Sequence, residues 1–142
     1  MSLKDIPVMI DSGSVDDAPT GMAEALLREI ADHLLTVGSG GERQVVELGN
    51  LPLSAGDLRL LEEKLGRGEV TADVSALGPT EVYETAFAGL WWVKYFNDDR
   101  HLVTQQLEIG TVPMILEAHP EDIRAGAERF NELLEVSDTQ QH

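Results

Sequence analysis

The chain changes its hydrophobic period twice. Apolar residues recur at helical spacing from about residue 20 to 65, alternate from 68 to 109, and return to helical spacing from 112 onward. Ala23, Leu26, Leu27, Ile30 and Leu34 define a first helix, which Thr20 can cap and GSGG at 38–41 ends. QVVEL at 44–48 reads as a short strand. Ser54 and Asp57 have the capping-box form S-x-x-D, and the helix they open carries Leu58, Leu61 and Leu65 before stopping at Gly66. GEVTADVSAL, EVYETAF, LWWVKYF and LVTQQLEI then form four strands joined by LGPT, a turn near Ala88-Gly89, and NDDRH. Turns this short imply an antiparallel meander with one partly wet face. A short helix is expected from Val112 to Ala118, with Pro113 in its first turn. A longer one begins at Pro120 and carries Ile123, Ala127, Phe130 and Leu134. The pattern predicts an α+β fold: a four-stranded antiparallel meander plus a short additional strand, packed on one face by about four helices. Residues 20–137 read as one domain, 1–19 as an extended acidic arm and 138–142 as a frayed tail.

Trp91 and Trp92, the only tryptophans, are adjacent in the third meander strand, so their rings point to opposite faces. Trp92 shares its side with Lys94, and lysine is seldom buried without a partner. That places Trp91 in the core and Trp92 on the face away from the helices. With a two-residue turn at Ala88-Gly89, Thr85 pairs with Trp92 and Tyr83 with Lys94. Tyr83, Phe87, Leu90, Trp92 and Phe96 then make an outer apolar patch. Glu84 faces the helices in this register and the outer side if the turn is bulged by one residue. An exposed aromatic patch fits a protein-binding surface, whose candidate residues are Tyr83, Glu84, Phe87, Trp92 and Lys94. Cover from the arm at 1–19 or another part of the chain is the equally weighted alternative.

Charge and composition narrow the partners. Ten Lys+Arg against 26 Asp+Glu give a net charge of −16 over 142 residues, which argues against nucleic acid and anionic membrane surfaces. The absence of Cys excludes disulfides, thiolate catalysis and Cys-held clusters. No apolar run is long enough to span a bilayer, and MSLKDIPVMIDSGS is too acidic for a signal peptide, so the cytoplasm is the default location.

Catalytic signals are weak. GSGG follows a helix and lacks the phosphate-loop pattern, and His33, His101, His119 and His142 have no metal spacing. Glu62-Glu63, Asp98-Asp99 and Glu121-Asp122 read as solvated turns or helix ends. Neither a cofactor nor a metal is expected. The enzymatic alternative is a metal-dependent or small-molecule site combining Glu84 with Asp98, Asp99 or His101. A general structural interaction domain is the other alternative.

The successive segments LSAGDLRLLEEKLGRGEV, ETAFAGLWWVKY, LEIGTVPMIL and AHPEDI resemble the HupH/HyaF family of hydrogenase expression and formation proteins, over roughly residues 43–135. The resemblance implies accessory work in [NiFe] hydrogenase maturation without catalysis. The partner it implies is a hydrogenase precursor subunit, foremost the iron–sulfur small subunit, or another maturation factor. A client with a basic export leader would be attracted by an acidic protein. Longer members carry two copies of this domain, so a homodimer of this chain is expected to reproduce that arrangement. The positions matching the family pattern (Gly66, Gly68, Glu69, Glu84, Gly89, Trp91 and Pro113) are expected mainly to determine the fold.

Overall fold

A computed structural model describes residues 17–75 and 78–141. Most of the predicted N-terminal arm therefore lies outside the described residues. Contacts divide the chain into two units, Met1–Thr111 and Val112–His142.

In the first unit, helix α1 spans Met22–Gly38 and helix α2 Ala55–Leu65. The capping box at the start of α2 is formed: Ser54 Oγ accepts the Asp57 N–H at 3.1 Å, and Asp57 Oδ2 accepts the Ser54 N–H at 3.0 Å. Asp57 does more than close its own helix. It also accepts the Thr20 N–H at 2.9 Å and the Thr20 hydroxyl at 2.6 Å. Thr20 thus ties the entry of α1 to the entry of α2, and the residue at the N-cap of α1 is Gly21. Asp57 is fully buried, and the chain passes so close that a Cβ on Gly56 would lie 1.9 Å from the Asp17 carbonyl oxygen. Only glycine fits there.

Strands β1 (Gln44–Glu47), β2 (Thr71–Ser75), β3 (Pro79–Glu84), β4 (Leu90–Phe96) and β5 (Leu102–Ile109) form one sheet in the order β1-β5-β4-β3-β2. Every neighbouring pair is antiparallel. The four-stranded meander is therefore part of a five-stranded sheet, with the short strand β1 paired to β5. A row of cross-strand neighbours, Val46, Leu107, Trp92 and Tyr83, meets Ala23, Leu26 and Ile30 of α1 and Leu61 and Leu65 of α2 in a single cluster. The next row has opposite parity and runs through Val45, Glu108, Trp91 and Glu84. Val82, Trp91 and Val93 on that second face are also buried, so neither side of β4 is a wet face at its centre.

The second unit contains a 3-10 turn, Met114–Leu116, and helix α3, Pro120–Gln141. The expected helix from Val112 to Ala118 is not formed. Pro113 has extended backbone (ψ 144°), which leaves too few residues to nucleate an α-helix. The described residues thus contain three α-helices of eight residues or more, where the sequence pattern implied about four. None of them is long and apolar enough to cross a membrane.

The hydrogen bonds that Asp57 accepts from Thr20, and after them those from Ser54, hold its carboxyl well below the usual value of 3.8. A depressed carboxylate stabilises the fold above its unfolded pKa and loses that contribution as pH falls. Asp57→Asn is expected to lower the melting temperature by roughly 5 °C at pH 7. The gap between variant and wild type should shrink below about pH 4. Calorimetry across pH checks this, and a gap that stays constant with pH would contradict it.

Candidate functional site

The β3–β4 register decides where the predicted binding residues go. Thr85 N donates to the Leu90 carbonyl and Leu90 N to the Phe87 carbonyl, so residues 86–89 form a four-residue loop instead of a two-residue turn. The loop starts early because the Thr85 hydroxyl accepts the Phe87 N–H at 3.1 Å. Gly89, at φ +83°, closes it. Tyr83 consequently pairs with Trp92, and Glu84 with Trp91. The shift from the expected register is two residues, so the parity holds and Tyr83, Leu90 and Trp92 share a face as expected.

That face is the helix side. Trp92 is 0% exposed and Tyr83 4%, with their rings stacked at 6.0 Å. The outer patch expected from these two residues is not formed. The lysine rule misled because Lys94 has partners: Glu62 of α2 at 3.2 Å, and the rings of Trp92 and Tyr83 at 5.4 and 5.7 Å. Arg67 covers the other part of Tyr83, its guanidinium carbon 3.8 Å from the ring centre. Trp91, expected among the helices, is 5% exposed on the opposite face and donates its indole N–H to the Gly110 carbonyl. Trp92 donates its own to Gln105 Oε1 at 2.9 Å.

Two of the five candidates remain near solvent at the loop end of the sheet. Phe87 is 49% exposed. Glu84 is half-buried and accepts the Gly89 N–H at 3.3 Å. Glu84 also lines a cavity of about 440 Å³ together with Leu34, Val37, Ile109, Gly89 and Gly110. Gly68 packs against this same strand end: its N–H donates to the Glu84 carbonyl, and a Cβ there would lie 2.5 Å from the Thr85 carbonyl oxygen.

The enzymatic constellation does not assemble. Glu84 pairs with Trp91 at the start of β4, whereas Asp98, Asp99 and His101 follow its far end, about 20 Å along the strand. In that turn the His101 N–H donates to Asn97 Oδ1. Among the described residues no three His, Cys, Asp or Glu are grouped to hold a metal ion.

The buried charge pair on the second face is not legible in the residue pattern. Glu108 is 2% exposed, and its carboxylate lies 3.1 Å from Arg43 Nε across the β1–β5 edge. The alternation in LVTQQLEI assigns Glu108 a side but does not say that the side is closed. In the second unit, α3 exposes Ile123, Phe130, Leu133 and Leu134 among Glu121, Asp122, Glu128 and Glu132.

Burial pushes the Tyr83 hydroxyl up to about 12 and raises Tyr95 as well. Absorbance titration of the folded protein should therefore show Tyr83 ionising only near pH 12 and Tyr95 above its ordinary value of 10.0. A tyrosine that ionises later when folded than when unfolded withdraws stability as pH rises past its ordinary value of 10.0, so alkaline unfolding should begin there. Trp92→Ala should cost about 3–5 kcal/mol in denaturant unfolding, as expected for an aromatic ring removed from a core. A loss under 1 kcal/mol would contradict the interior placement.

Comparison with known proteins agrees with the sequence resemblance. Residues 21–137 match the model of the family described as "HupH hydrogenase expression protein, C-terminal conserved region". The hydrogenase expression/formation protein HoxQ of Cupriavidus necator is 36% identical over 125 residues, covering 88% of this chain and 44% of that protein. HupH of Rhodobacter capsulatus is 34% identical over 80% of this chain and 41% of its own length. The chain spans less than half the length of these relatives. A solved structure of hydrogenase expression protein HupH from Thiobacillus denitrificans superposes with a TM-score of 0.76 at 37% identity, covering 85% of this chain and 99% of that one. These relatives are named for hydrogenase expression and formation and not for a catalysed reaction. Fold, sequence and the extent of the match together place this chain in the HupH family of hydrogenase expression proteins.

Proposed function

We propose that this chain is an accessory protein of [NiFe] hydrogenase maturation that holds a hydrogenase precursor subunit, foremost the iron–sulfur small subunit, during assembly. The observation that carries the reading is the family match over residues 21–137, whose relatives are named for hydrogenase formation. Two physical features support a holding role. The net charge of −16 favours encounter with a basic client segment. The apolar residues of α3, Ile123, Phe130, Leu133 and Leu134, are exposed between carboxylates, which suits a client segment that is both apolar and basic. The client occupies this helix in our reading. A second copy of the chain would bring two acidic helices together.

Affinity capture tests the proposal. The full chain is expected to retain the small-subunit precursor in preference to the large subunit, with recovery falling as salt is raised. Phe130→Asp combined with Leu133→Asp should reduce recovery roughly tenfold or more, the consequence of losing about 1.4 kcal/mol or more. Failure to retain any hydrogenase precursor would overturn the reading. A sedimentation mass of two chains that falls to one in the double variant would transfer the helix to self-association.

A further inference from the structure

The cavity at the end of the sheet is lined by Glu84, which has no cation partner among the described residues. Elsewhere in the first unit, acids taken from solvent have fuller partners: Glu108 lies against Arg43, Glu81 against Arg67, and Asp57 accepts three hydrogen bonds from Thr20 and Ser54. Glu84 has none of these. Its hydrogen bond is the 3.3 Å contact from the Gly89 N–H, which leaves acceptor sites on both oxygens. The cavity is also lined by Leu34, Val37 and Ile109, and by Gly89, Gly110 and the exposed Ala88. The C-terminal end of α1 also borders it, through Val37 and Gly38. That end carries the negative pole of the helix dipole, and no basic residue occupies the last turn of α1.

We infer that this cavity is a receptor for an arginine side chain presented by a partner polypeptide. An arginine meets each feature of the site. Its aliphatic stem lies along Leu34, Val37 and Ile109, and its planar guanidinium spans the two oxygens of Glu84 while facing the negative helix end. Guanidinium is more weakly hydrated than ammonium, so a half-buried carboxylate with apolar walls selects arginine over lysine. The loop helps to hold the carboxylate: Gly89, at φ +83°, donates its N–H to Glu84 Oε2. That the arginine arrives on a hydrogenase client rests on the proposed function. The chemistry of the pocket does not.

Small cations separate the two statements. The full chain, labelled with nitrogen-15, is titrated with n-butylguanidinium, n-butylammonium and the uncharged n-butylurea. Saturable shifts are expected for n-butylguanidinium at the amides of Gly89, Gly110, Thr111 and Val37, with roughly tenfold weaker binding for the urea. Glu84→Gln should weaken the guanidinium roughly tenfold or more, and Ala88→Trp, a plug at an exposed lining position, should abolish the response. Unchanged circular dichroism in both variants excludes unfolding as the cause. Shifts that never saturate, shifts centred outside these residues, or a Glu84→Gln variant that titrates like wild type would overturn the inference. Retention of the guanidinium site without capture of a precursor supports the pocket and sinks the client. Equal capture of the precursor by Glu84→Gln overturns the pocket's part in client binding.

Discussion

The pairing of Tyr83 with Trp92 across β3 and β4 is the constraint on which the rest depends. A strand shows alternate residues to alternate faces, so this one register fixes which of two adjacent indoles meets the helices. With Trp92 on the helix side, the row Val46–Leu107–Trp92–Tyr83 becomes the floor on which α1 and α2 sit. The same register sends Trp91 to the second face, beside the buried pair of Glu108 and Arg43, and leaves Glu84 at the strand end. An interior, a second buried face and a candidate binding pocket all follow from one strand pairing.

A second constraint holds the helices in place over that floor. Asp57 gathers donors from Thr20 and Ser54, residues 37 and 3 positions away in sequence, and so couples the starts of α1 and α2. Removing any donor leaves a buried carboxylate less satisfied, which costs more than the hydrogen bond alone is worth. Lys94 has a similar role at the other edge of the helix layer, joining Glu62 to the Tyr83–Trp92 stack.

The sequence pattern reveals the fold class, the antiparallel meander, the capping box at Ser54 and the helical stripes, because each rests on periodicity or a local motif. The facing of the sheet is less legible. Lys94 looks like a marker of the wet side until its partner Glu62, 32 residues earlier, is known. The loop between β3 and β4 is two residues longer than the Ala88-Gly89 signal implies, because the Thr85 hydroxyl starts the turn before the glycine is reached. Asp57 was legible as a cap and illegible as a clamp, since its second set of donors comes from Thr20. Of the five residues first singled out for binding, Tyr83 and Trp92 lie in the interior and Lys94 bridges to Glu62. Phe87 is exposed on the loop, and Glu84 is half-buried with no basic partner among the described residues.

The functional account follows from this redistribution. The tryptophans belong to the scaffold, and our proposals assign contact with a client to the exposed apolar residues of α3 and the Glu84 cavity. Hydrogen exchange of the two indole N–H groups tests that division most directly, because the chain has no other tryptophan to confuse the signals. Both donors are engaged, Trp91 with Gly110 and Trp92 with Gln105, so both indole signals should persist in deuterated buffer long after those of a free indole have vanished. Loss of the Trp92 signal at the rate of free indole would put that ring on the surface and contradict the account.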